Sequence, residues 1–170
     1  YGVALINASS DLNIRADDGT MISFSGDVET GSHGFAMEYG NFVFASGKWS
    51  AKEVSFGLKD AAASKITTAS VEFADSTVID SDTVNFYANS LSDHSSITVA
   101  EGKSVSLANC NAAINLILAE DFVADIGDEI VLSNFLLSDG AVRSEFIPNL
   151  SIYWGDLLLD AEAWEMFNDD

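Results

Sequence analysis

One cysteine, one proline and seven basic residues: this chain of 170 residues is poor in three kinds of side chain on which many protein classes depend. With Cys110 alone, no intramolecular disulfide is possible, and a fold must rest on an apolar core. The surroundings of Cys110, Leu107-Ala108-Asn109 before it and Asn111-Ala112 after it, predict a small buried residue rather than a reactive thiol. A single proline and 12 glycines exclude collagen-like and proline-rich chains. The basic residues Arg15, Lys48, Lys52, Lys59, Lys65, Lys103 and Arg143 form no dense run, and 27 acidic residues leave a net charge of -20. Nucleic-acid binding draws most of its affinity from Lys and Arg at phosphates, so that class is excluded, and an anionic membrane surface is disfavoured on the same ground. No apolar stretch approaches the length that a membrane-spanning helix needs, so no membrane insertion is expected of this segment. The first residue is Tyr1, with neither a methionine nor a signal-like stretch, which reads as a processed or excised segment.

What is present is hydrophobic residues, 48% of the chain, with 11% aromatic. That is far from the composition of disordered chains and enough for one domain with a proper core. The apolar residues recur in short triplets with a polar centre: Val54-Ser55-Phe56, Val71-Glu72-Phe73, Val84-Asn85-Phe86, Ile97-Thr98-Val99, Val105-Ser106-Leu107 and Ile114-Asn115-Leu116. In a strand each triplet sends two large side chains to one face and a polar one to the other. The pattern therefore predicts an all-β protein of many short strands, each burying one side.

Two architectures fit. The triplets start 17, 13, 13, 8 and 9 residues apart, which is no fixed period, although irregular corners between the coils of a parallel β-solenoid would scatter the steps in this way. An antiparallel β-sandwich also lays down short strands with turns between. The connectors, such as Ala61-Ala62-Ala63-Ser64 and Ser90-Leu91-Ser92-Asp93, lack the Asn-Gly signals of tight hairpins, which favours the solenoid. Residues 1–50 read as irregular N-terminal strands, including Val3 to Ile6, Leu12 to Ile14 and Met21 to Phe24, with Asp17-Asp18-Gly19-Thr20 as a hairpin or corner. The Gly-rich interval Gly26 to Gly34 separates these from Phe35 to Tyr39 and Asn41 to Ala45. Residues 54–118 form the central coils, and residues 126–170 the C-terminal strands and cap. The cap comprises a turn at Ile126 to Glu129, a strand at Ile130 to Leu132, a hairpin turning at Trp154-Gly155-Asp156, and a helix over Ala161 to Phe167 capped by Asp160. The hairpin together with Trp164 and Phe167 would cover the exposed end of a solenoid.

The run Ile97-Thr98-Val99-Ala100-Glu101-Gly102-Lys103-Ser104-Val105-Ser106-Leu107, then Ile114-Asn115-Leu116-Ile117-Leu118 and Gly127-Asp128-Glu129-Ile130-Val131-Leu132, resembles the passenger domains of bacterial autotransporter-type surface proteins. The resemblance covers about residues 54–160 and consists of strand-and-turn patterns. It implies a right-handed parallel β-helix exported to the cell surface, serving adhesion, aggregation or display. It carries no functional residues.

No catalytic motif accompanies the strands. Asp17-Asp18-Gly19-Thr20, Asp80-Ser81-Asp82 and Asp125-Ile126-Gly127-Asp128 bring carboxylates into one loop each, which makes Asp80, Asp82, Asp125 and Asp128 candidate Ca²⁺ ligands. None fits a helix-loop-helix or β-roll calcium pattern, and solvated turn residues are the favoured reading. His33 and His94 stand 61 residues apart without a neighbouring Cys or second His, which reads as two loop residues. Ser92-Asp93-His94-Ser95 holds the side chains of a nucleophilic triad without a nucleophile elbow. Carboxylate pairs for glycoside cleavage are expected by chance among 27 acidic residues. Trp49, Trp154 and Trp164 read as core or cap residues rather than a sugar-stacking platform. Tyr1 to Ile6 would suit a strand donated to a neighbouring copy, or an ordinary first strand. The expected function is an exported structural or adhesive cell-surface module with no catalytic activity and without a required cofactor, its partner a host or surface carbohydrate or protein, or further copies of itself in a homo-oligomer or filament. A filament subunit joined by donated strands and a carbohydrate-binding or carbohydrate-cleaving β-helix are the alternatives.

Overall fold

In the computed structural model the described residues are 5–7, 9–60, 65–122 and 149–159. Their regular structure is all β, with no helix among the described residues. The strands are β1 (Leu5–Asn7), β2 (Leu12–Arg15), β3 (Met21–Phe24), β4 (Asp27–Phe44), β5 (Gly47–Phe56), β6 (Leu58–Asp60), β7 (Lys65–Thr67) and β8 (Ala69–Phe73). They continue with β9 (Thr77–Asp80), β10 (Thr83–Ala88), β11 (Ser96–Val99), β12 (Val105–Leu107), β13 (Ala113–Leu118), β14 (Leu150–Trp154) and β15 (Leu157–Leu159). All but β6 and β7 join one mixed sheet of 13 strands.

Among the described strands pairing is parallel except between β14 and β15 and within the β6–β7 ribbon, and a single antiparallel bridge joins Ala88 and His94. The antiparallel sandwich therefore fails on strand direction. The pairings sort into three columns. Column A stacks β1, the start of β4, the start of β5, β9 and β12. Column B stacks β2, the middle of β4, the end of β5, β10, β13 and β14. Column C stacks β3, the end of β4, β8 and β11. The six triplets fall into register across these columns, with Val54, Val84 and Ile114 aligned in B and Val71 aligned with Ile97 in C. Strand β4 passes through all three columns, so the interval Gly26 to Gly34 is not the break that its glycines predict. Gly31 and Gly40 have φ of 59° and 101° and act as bends inside the strand.

Alternation fixes what lies inside. Val54, Phe56, Val84, Phe86 and Ile114 from column B are fully buried, as are Phe44 and Phe73 from C and Val28, Trp49 and Ile79 from A. Trp49 sits at the centre of an aromatic cluster, its ring centroid 5.0 to 5.1 Å from those of Phe35, Phe44 and Phe73. Phe56 and Phe86 stack along column B at 4.8 Å. Close packing of this kind needs no disulfide.

The segment Asp17-Asp18-Gly19-Thr20 is a corner, not a hairpin, because β2 and β3 both pair with β4 and not with each other. The hairpin at Gly155 is present, with φ of 59° at its glycine and Trp154 paired to Leu157. Cys110 is exposed, contrary to expectation. Its triplet neighbours fill the interior, whereas Cys110 itself lies in the turn between β12 and β13, its carbonyl accepting a 2.7 Å hydrogen bond from Asn149 Nδ2. The expected turn at 126–129, the strand at 130–132 and the helix at 161–167 lie outside the described residues.

Candidate functional site at the B–C corner

The three corners of the column are unequal. Between columns C and A the connections run two to five residues, and between A and B none among the described residues exceeds five. Between B and C the chain makes the Ala16–Thr20 corner, the β6–β7 ribbon and the seven-residue Asn89–Ser95 loop. A rigid scaffold that varies its loops at one corner places its distinctive side chains there.

From β2 onward this corner presents Arg15, Asp18, Glu38, Tyr39, Thr68, Asn89, Asp93 and His94. Tyr39 donates its hydroxyl to Asp18 Oδ1. The Arg15 guanidinium lies 4.6 Å from the Tyr39 ring centre and 3.2 Å from Glu38 Oε1. That hydrogen bond and the charge of Asp18 raise the Tyr39 phenol above the usual tyrosine range, and Asp93 adds to the rise. Asp93 accepts from Thr68 Oγ1 at 2.6 Å and from Asn89 Nδ2 at 3.0 Å. The corner thus carries two polar groups, one of Arg15, Asp18, Glu38 and Tyr39 and one of Thr68, Asn89 and Asp93.

The Ser92-Asp93-His94-Ser95 side chains do different things. Ser95 is buried and donates to Phe56 O at 2.7 Å while accepting from Ala69 N at 3.1 Å. His94 Nδ1 lies 3.2 Å from Ser95 O. Asp93 closes the loop, its amide bonded to Ser90 Oγ at 3.0 Å. The serine beside His94 is thus engaged with the backbone of Phe56 and Ala69. His33 is distant in the fold, beside Asp11, with Nδ1 3.8 Å from Asp11 Oδ1.

Asp80 and Asp82 flank the corner between A and B rather than this one. Between them Ser81 is buried and its hydroxyl donates to Thr83 O at 2.6 Å. Among the described residues no three of His, Cys, Asp and Glu converge as a metal-holding group. Asp125 and Asp128 lie outside the described residues. Trp49 is in the core, Trp154 is 39% exposed on the terminal hairpin with its Nε1 donating to Glu120 O at 3.1 Å, and Trp164 lies outside the described residues. Strand β1 pairs with β4 of its own chain over Leu5–Asn7, and Tyr1 to Ala4 lie outside the described residues. Among the described residues no helix is long and apolar enough to cross a membrane.

Sequence reasoning found the segments of this corner but not their convergence. Asp18, Tyr39, Thr68 and Asp93 come from four separate segments, and only the strand register brings them together. The one local signal was the length of the B-to-C connectors. Comparison with known proteins finds no matching protein-family model, no matching curated protein and no matching solved structure.

Proposed function

We propose that the chain is a right-handed parallel β-solenoid acting as an exported, non-catalytic structural or adhesive module at a cell surface, with the B–C corner as its presenting edge. The three-column parallel register supports the solenoid, and strand-crossover-strand units joining parallel strands of one sheet are overwhelmingly right-handed. The strand-and-turn resemblance to autotransporter passenger domains supports the location and the class. A net charge of -20 supports it too, since mutual repulsion keeps crowded copies apart.

The observation that favours display over catalysis is the way the corner's polar groups engage one another: Asp18 with Tyr39, Asp93 with Thr68 and Asn89, Arg15 with Glu38. Such contacts stiffen a surface and shape it for recognition of a surface carbohydrate or protein. Placement of β1 in its own sheet favours a solitary module over strand donation.

The test is a binding screen of the purified chain against a glycan array and a panel of immobilised cell-surface proteins. It is repeated with Tyr39→Ala and Asp93→Ala variants whose circular dichroism is unchanged. Binding that both variants lose supports the reading. Binding indifferent to them removes the corner from it, and release of reducing ends from a glycan would replace adhesion with catalysis.

A further inference from the structure

The β6–β7 ribbon leaves column B at Gly57, whose φ is 86°, and returns to column C at β8. Asn89 Nδ2 holds its base by a 2.9 Å bond to Ile66 O, and Thr67 Oγ1 adds a bond to Glu38 O. Its other strand points elsewhere. Lys59 Nζ lies 3.1 Å from Asp156 Oδ1, in the turn of the terminal hairpin, and 3.5 Å from Glu120 Oε1, just beyond β13. In column B the hairpin strand β14 is three pairings beyond β5. Three steps of roughly 4.8 Å make about 14 Å, and the three residues of β6 with a lysine stem cover that span only if the ribbon runs along the stacking direction.

We propose that the ribbon is a salt-sensitive clasp that fastens the terminal β14–β15 hairpin to the third coil and keeps the edge of β13 paired. Strand β14 packs its column on one side through β13 alone, and β15 pairs with β14 alone among the described strands. A terminal unit with so few neighbours opens locally at low cost. Lys59 supplies a tie that skips the intervening coils. Its side chain is only 23% exposed while Glu120 and Asp156 are 66% and 92% exposed, so the stem is anchored and the carboxylates stand in solvent. The hydrogen bond to Asp156 raises the Lys59 ammonium above the usual lysine range despite partial desolvation. Charge contacts at that exposure weaken as salt rises, and the hairpin loosens with them. The proposal stands on these contacts and not on the adhesive reading.

Hydrogen exchange followed by mass spectrometry on the full chain tests it, at low and high ionic strength. Wild-type exchange over residues 150–159 speeds up several-fold with salt, as expected for the loss of an exposed ion pair. Lys59→Met shows the fast rate at low salt and little further change, Asp156→Asn lies between, and Lys59→Arg restores the slow rate. Exchange in β8 and β10 is the same in all. Equal hairpin rates in wild type and Lys59→Met, or an identical salt response in both, would overturn the clasp. Faster exchange throughout Lys59→Met would do so as well, by showing general destabilisation.

Discussion

At the scale of single residues the polar centres of the triplets behave differently from one column to the next. In column C, Glu72 and Thr98 are exposed on the outer face. In column B, Ser55 and Asn85 are 2% and 4% exposed and form a hydrogen-bonded ladder, Asn115 Nδ2 donating to Asn85 Oδ1 at 2.9 Å and Asn85 Nδ2 to Ser55 Oγ at 3.3 Å. Asn85→Ala removes both bonds, leaving buried Ser55 only its 3.4 Å bond to Glu53 Oε1, and urea denaturation is expected to show a loss of about 1–3 kcal/mol. Tyr87, next along the same strand, has its phenol pushed up to about 12 by burial, with the charge of Glu53 adding to it. A raised acid of this kind favours the folded state below the unfolded tyrosine value and loses that contribution as pH climbs to the folded one. One of the four tyrosines is therefore expected to resist ionisation in an absorbance titration until pH nears 12, with stability falling over the interval above 10. For Asp80 and Asp82, the lack of a converging metal group among the described residues gives a third expectation. Asp80→Asn with Asp82→Asn is expected to leave the response of the melting temperature to millimolar Ca²⁺ unchanged, and a calcium-induced rise abolished by that pair would restore the calcium reading there.

At the scale of elements, strand existence was legible in the sequence and strand continuity was not. Met21–Phe24, Ala69–Phe73 and Ala113–Leu118 alternate or run apolar as strands should, and the structure contains them. The glycines of β4 read as punctuation, yet they mark bends through which one strand serves three columns. Gly40 shows why a residue without a side chain is needed: its φ is 101° and an added Cβ would stand 2.5 Å from Ala16 O, just beyond β2. Gly40→Ala is expected to cost about 1–3 kcal/mol in a thermal or urea melt. Gly102→Ala, also at positive φ but with open space around the added carbon, is expected to cost about 1–2 kcal/mol. Cys110 illustrates the other failure. Small size and flanking alanines suggested burial, but a turn residue's exposure depends on which way the corner faces, which its neighbours do not encode.

At the scale of the whole molecule, the uneven steps between triplets resolve once they are sorted by column, most regularly in B. Val54, Val84 and Ile114 recur every thirty residues in B, and the triplets of A and C fall between them. A single-period search blurs series interleaved in this way, and the ribbon and the Asn89–Ser95 loop blur them further. The corner's polar groups were hidden for a related reason: their members are distant in sequence and meet only through register. The fold stands or falls with that register, so the decisive measurement is a distance along column C. With exposed Cys110 replaced by Ser, spin labels at Ser23 and Thr98 lie three pairings apart through Val43 and Glu72. Electron paramagnetic resonance should give a narrow separation near 15 Å, following from about 4.8 Å per step plus label reach. A broad distribution, or a separation beyond about 25 Å, would mean that these strands do not stack in parallel, since no in-register column allows it.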